Sequence, residues 1–156
     1  MTTPYEPPKA RVADKDAGKT RPTWVAVAIG LAVDVLGTEL FSVVASFILG
    51  VSMAIQGATQ EEIMQSFSAM PFRIFFFISG LIFTLIGGYV AARVAKNREY
   101  LHGLYLGIAS LITSALLIAL LDSQTPLSFD LAYMVLAVPA ALTGAHLRKA
   151  HKRSGT

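Results

Sequence analysis

The chain contains no cysteine, which excludes disulfide cross-links, thiolate metal sites and cysteine nucleophiles. Charge is scarce as well: Asp, Glu, Lys and Arg together make up 15% of the 156 residues. The sequence has no HExxH, no phosphate-binding GxxxxGK[ST] and no GxSxG. It also has no substantial polar segment from which a soluble substrate-binding domain could be built. These absences point to a non-enzymatic protein without cofactors. The net charge of +3 does not suggest nucleic acid as a partner, because the basic residues flank apolar segments, where membrane topology accounts for them.

What the chain does have is long apolar runs; 54% of its residues are hydrophobic, more than a soluble core of this size absorbs. Residues 1–22, MTTPYEPPKARVADKDAGKTRP, are rich in proline and charge and poor in bulky apolar side chains, so a disordered tail is expected there. The first apolar run starts at Trp24, too far from Met1 and too long for a signal peptide, so it is expected to stay as an anchor. Four segments, 24–49, 72–95, 101–121 and 129–147, have roughly the 20 residues that cross about 30 Å of hydrocarbon. The fold expected is all-α: a four-transmembrane-helix bundle over 23–149, followed by a short basic tail at 150–156. Between the first two spans, Thr59 and Glu62 have the spacing of a capping box, which predicts a short interfacial helix over 59–69, with Pro71 opening the second span.

The basic residues fix an expected orientation. Lys9, Arg11, Lys15, Lys19 and Arg21 precede the first span; Arg93, Lys96 and Arg98 lie between the second and third; Arg148, Lys149, Lys152 and Arg153 follow the fourth. Only Arg73 of the 13 falls elsewhere. An even number of crossings puts those three regions on one side, and Lys and Arg are retained in the cytoplasm. Both termini are therefore expected to be cytoplasmic.

Small residues four apart let membrane helices approach closely. The second span carries Gly80, Gly87 and Gly88, the third Gly103 and Gly107, and the fourth Gly144, with Pro139 interrupting one backbone hydrogen bond. All six glycines are expected at packing contacts. GYVAARVAK at 88–96 also echoes ALTGAHLRK at 141–149, as any small-residue helix meeting a basic end does.

GGYVAARVAK, Gly87 to Lys96, followed by HGLYLG, His102 to Gly107, resembles a pattern in uncharacterised bacterial four-helix membrane proteins. The resemblance covers the second and third spans. It implies a bacterial inner-membrane location and a four-helix fold, and it implies no activity or catalytic residue.

Two acids interrupt the first span, in IGLAVDVLGTELFSVVAS. Asp34 lies about 15 Å from Trp24, close to the bilayer midplane, and Glu39 is nearer the opposite side. Five residues separate them, about 140° around the helix, so they do not form a side-by-side pair. A charge at the midplane costs about 2.5–3.5 kcal/mol on insertion scales, so such a residue is turned inward and paired. Thr84, Ser110, Thr113 and Ser114 are the hydroxyls at that depth, with Tyr89 a further possible donor. Glu39 has a candidate cation in Arg73. The histidines His102, His146 and His151 cluster near the basic ends without accompanying carboxylates at ligand spacing, and no metal site is expected.

Two functional classes follow. In the first and favoured one, the protein is a structural or assembly subunit that packs in the lipid bilayer with itself or a larger complex, using Asp34 and Glu39 as polar helix contacts. In the second it is an oligomeric proton- or ion-linked channel or transporter, with Asp34 as the carrier group.

Overall fold

The computed structural model describes residues 23–96, 98–120 and 126–154. The N-terminal tail at 1–22 and the stretch 121–125 between the third and fourth spans lie outside the described residues. Five helices follow in order: α1 (Thr23–Ile55), α2 (Gln60–Ser68), α3 (Met70–Ala95), α4 (Glu99–Leu120) and α5 (Leu127–Ser154). The four long ones are apolar and long enough to cross a membrane, and α2 is the short polar helix between the first two. The chain is an all-α bundle of four candidate spans.

Local chemistry sets the helix ends. The first helix runs six residues past the expected 49 and stops where Gly57 takes a positive φ of 89°. There the Ala58 N–H bonds Met53 O and the Gly57 N–H bonds Ala54 O, the pair of bonds by which a glycine after a helix satisfies its last carbonyls. Thr59 then caps α2, its side chain accepting from the Glu62 N–H while the Glu62 carboxylate accepts from the Thr59 N–H. Ala69, in extended conformation, ends α2 and opens α3, and Pro71 occupies the first turn of α3. Lys96 and Arg98 both take positive φ, turning the chain tightly enough to make α3 and α4 antiparallel neighbours. The fourth long helix also exceeds its expected bounds: it continues through the basic segment to Ser154, so the expected tail at 150–156 is helical over its described residues.

Helix α3 is the hub, packing most extensively against α5 and α1, while α4 packs on α5 and fills the remaining side against α3 and α1. Helices α1 and α5 do not pack directly on each other. The interior is made of small side chains. Ala26, Ala91, Ala92, Ala137, Ala141 and Ala145 are buried, and the largest fully buried side chains are Leu106 and Thr84. Large apolar residues point outward instead, with Leu36 66%, Phe47 70% and Val135 72% exposed. A water-soluble protein would bury those groups; a bundle solvated by hydrocarbon gains nothing by doing so and is held by close backbone approach.

Two crossings illustrate that approach. A Cβ on Gly88 would collide with the Ala141 carbonyl, and one on Gly144 would collide with that of Leu85, so α3 and α5 touch backbone to backbone. The echoing strings thus meet each other, Gly88 against its counterpart Ala141. On the other side of α3, a Cβ on Gly87 would stand 2.7 Å from Gly30 O. Gly103 and Gly107 face Ala145 and Val138 on α5, and Gly80 faces the Tyr133 ring.

A candidate site around a buried carboxyl

Asp34 lies on α1 one turn beyond the Gly30 crossing and is 3% exposed. The close approach of α1 to α3 at Gly30 and Gly87 brings its side chain among the other helices. Thr84 of α3 donates to Asp34 Oδ1 at 2.9 Å, and Ser110 of α4 donates to Oδ2 at 2.5 Å. The Thr84 hydroxyl is in turn 2.8 Å from the Tyr133 hydroxyl of α5 and 3.1 Å from Gly80 O. One polar cluster therefore joins all four long helices.

A hydroxyl has one proton to give and can accept others. When Thr84 gives its proton to Asp34, Tyr133 donates to Thr84, and the carboxylate accepts from two hydroxyls. When the carboxyl itself carries a proton and donates it to Thr84, the Thr84 proton turns to Gly80 O. Both states of Asp34 are satisfied with the same side-chain positions, and a group that changes its proton needs that property.

The surroundings are asymmetric. On the side of the basic helix ends, Gly30, Gly87, Ala91 and the fully buried Leu106 pack together next to Asp34 and bring no polar side chain. On the opposite side a cavity of about 200 Å³ opens, with Asp34, Glu39, Ser114 and Tyr133 among its lining residues. Thr38 also lines this cavity; its hydroxyl is itself buried and has no hydrogen-bond partner among the described residues. Beyond Phe76, Phe77 and Tyr133, which border both spaces, lies a second cavity of about 360 Å³ that holds Arg73 and Asp130. A larger hollow of about 680 Å³ lies at the α1–α2 turn and is remote from the carboxyl.

Of the residues singled out from the sequence, Asp34, Thr84 and Ser110 come together, and Ser114 lines the cavity without bonding the carboxyl. Glu39 is exposed and borders the same cavity. Arg73 is half-buried in the other cavity, and the ion pair considered for these two does not form; elsewhere Lys152 pairs with Glu99 at 3.4 Å. The tyrosine in the network is Tyr133 rather than Tyr89. Its signal in the sequence was depth, since it lies about 9 Å into the fourth long helix, where a hydroxyl has to find a protein partner. Thr38, one turn from Asp34 on the same face, was legible by the same periodicity.

The histidines go to separate partners: His146 Nδ1 is 2.7 Å from the Tyr100 hydroxyl, and His102 Nδ1 is 3.1 Å from Arg98 O. Among the described residues no group of three or more His, Asp or Glu is placed to hold a metal ion. No protein-family model, curated protein or solved structure matches the chain.

Proposed function

We propose that this chain is a non-enzymatic four-span protein of the bacterial inner membrane, with both termini cytoplasmic, that carries protons or small ions by way of Asp34. The observation that carries this reading is the cavity of about 200 Å³ against the buried carboxyl. A carboxyl used only to hold helices together has no need of empty space beside it, because membrane helices gain their stability from close packing. The space far exceeds the roughly 30 Å³ that one water takes in the liquid, and although much of its wall is apolar, Asp34, Glu39, Ser114 and Tyr133 offer a water polar partners there. The retention of Lys and Arg on the cytoplasmic side supports the topology, and the likeness of Gly87 to Gly107 to bacterial four-helix membrane proteins supports the location.

The test is flux in liposomes containing the purified chain, read by an internal pH dye for protons and by tracer uptake for small ions. The expected result is flux in the wild type and its loss in Asp34→Asn, with the variant still assembling, since the amide keeps most of the hydrogen bonds. A wild type that moves neither protons nor any small ion overturns the reading.

A second reading, assembly with another copy or a larger complex, is favoured by Glu39. It is exposed on α1 between Leu36 and Leu40, which are 66% and 68% exposed. An acid on a hydrocarbon-facing surface is costly, and cover by another chain removes the cost. The oligomeric state in mild detergent decides it: an obligate complex dispersed by Glu39→Leu supports assembly, and a wild-type monomer removes it.

A further inference from the structure

The cavity beside Asp34 has a chemistry of its own. Two of its lining side chains, Asp34 and Glu39, are acids, and none is Lys, Arg or His. Phe76, Phe77 and Tyr133 add aromatic faces. Thr38 lines the same space, and its buried hydroxyl has no partner among the described residues. Carboxylates favour positive charge, and aromatic rings attract a cation lying over their faces, the more so when it is desolvated. A small hard metal ion is a poor match, because such ions demand several oxygen ligands in a close shell and much of this lining is hydrocarbon. A cation wrapped in methyl or methylene groups matches both halves of the lining.

The opening also constrains the ligand. Glu39 and Leu117 are lining residues that are also exposed, one on α1 and the other on α4. These helices are held together at Asp34 and Ser110, so the cavity opens between them toward the hydrocarbon. The neighbouring cavity, past the aromatic layer, holds Arg73 together with Asp130, so it offers a cation no net acidic lining like that of Asp34 and Glu39. We infer that the cavity is a binding site for a small organic cation, an ammonium with apolar substituents, which enters from the lipid between α1 and α4 and places its charge between Asp34 and Glu39. The inference deepens the carrier reading by naming the substrate class of that same site.

A proton on Asp34 removes the charge the ligand pairs with, so ligand and proton compete. The titratable groups around the site are few: Asp34 and Glu39 on α1 and Tyr133 on α5 line it, α4 offers only hydroxyls, and Arg73 of α3 and Asp130 of α5 stand in the adjoining cavity. Acidification is therefore expected to weaken binding through Asp34.

The experiment titrates the full chain, in nanodiscs of phosphatidylcholine, with benzyltrimethylammonium by calorimetry. Empty nanodiscs, potassium chloride and the neutral isostere neopentylbenzene serve as controls. The expected result is saturable binding of one ammonium per chain, at least tenfold tighter than potassium, weakening as pH is lowered. Asp34→Asn should weaken it at least tenfold and Glu39→Gln several-fold. Ser114→Leu, which fills the cavity while leaving both acids and the Thr84 and Ser110 hydrogen bonds of Asp34 in place, should weaken it at least tenfold. Should Asp34→Asn fail to assemble, the other two variants decide. Absence of saturable binding, equal binding of the neutral isostere, or affinity unmoved by the variants and by pH overturns the inference. Ammonium binding without flux in liposomes supports the site and removes the carrier reading; Asp34-dependent proton flux without ammonium binding does the reverse.

Discussion

Thr84 and Asp34, fifty residues apart in the sequence, share a 2.9 Å hydrogen bond in the interior of the bundle. Thr84 is fully buried and also holds Tyr133 at 2.8 Å, so a single hydroxyl joins the two helices that do not pack on one another. Replacing it with the near-isosteric valine leaves a carboxyl oxygen and a tyrosine hydroxyl each short of a partner. Unsatisfied buried groups cost about 1–3 kcal/mol, and hydrogen bonds between membrane helices average about 0.6. Thr84→Val should lose about 1–3 kcal/mol in mixed-micelle unfolding, while Thr84→Ser, which keeps the hydroxyl, should lose less than half as much. Equal losses would show that the methyl matters and the hydrogen bonds do not.

The crossing of α3 and α5 should be the least tolerant part of the bundle. At Gly88 and Gly144 an added methyl meets backbone, which cannot rotate away, whereas at Gly50 the nearest side-chain atoms would be 3.9 Å off, ordinary contact. Alanine at a helical glycine gains about 0.5–1 kcal/mol from backbone entropy, and overpacking costs about 1–3. Gly88→Ala and Gly144→Ala should therefore be destabilising or close to neutral, and Gly50→Ala stabilising, each measured against the wild type in the same micelles. A stabilised Gly144→Ala would mean that α3 and α5 lie further apart.

At the end of the molecule away from the basic termini, the α2 cap should respond to acid. The Thr59 N–H and hydroxyl donate to the Glu62 carboxylate at 2.7 and 2.9 Å, and these bonds hold its pKa below the ordinary value of 4.5. A depressed carboxyl stabilises the folded form in full above the ordinary value, and that stabilisation is lost as pH falls through the folded value. Amide exchange across α2 should accordingly accelerate below about pH 4.5, relative to α3 in the same sample. Thr59→Ala should remove most of that pH dependence, and an unchanged profile would show the cap to be unimportant.

The spans, the antiparallel turn after Ala95 and the capping box were legible in the sequence because each rests on local information: hydropathy over one helix, a short link, a four-residue spacing. The polar cluster was legible in part. Depth placed Asp34, Thr84 and Ser110 at one level, and rotation about the helix axes brought them together, which only packing determines. Depth alone does not choose between Tyr89 and Tyr133 as the donor; packing places Tyr133 there, and a tyrosine inside a span has the same need for a partner as a serine or threonine. The helix ends at Ile55 and Ser154 lie beyond the apolar runs, because helices extend into water wherever nothing breaks them. For α1 the break is Gly57.

Glu39 and Arg73 show where charge pattern alone misleads. Opposite sign and similar depth suggested a pair, yet each borders a different cavity and Phe76 and Phe77 stand between the two spaces. Two sites without a shared partner should act independently, adding within about 0.3–0.5 kcal/mol. In a double-mutant cycle, Glu39→Gln and Arg73→Gln should show no coupling beyond that range when unfolding is followed in micelles. Glu39→Leu should also leave the bundle as stable as the wild type or more so, because leucine suits hydrocarbon better than an acid does. A coupling energy of about 1 kcal/mol or more would mean that the two side chains meet, which would close the mouth between α1 and α4 to a cation.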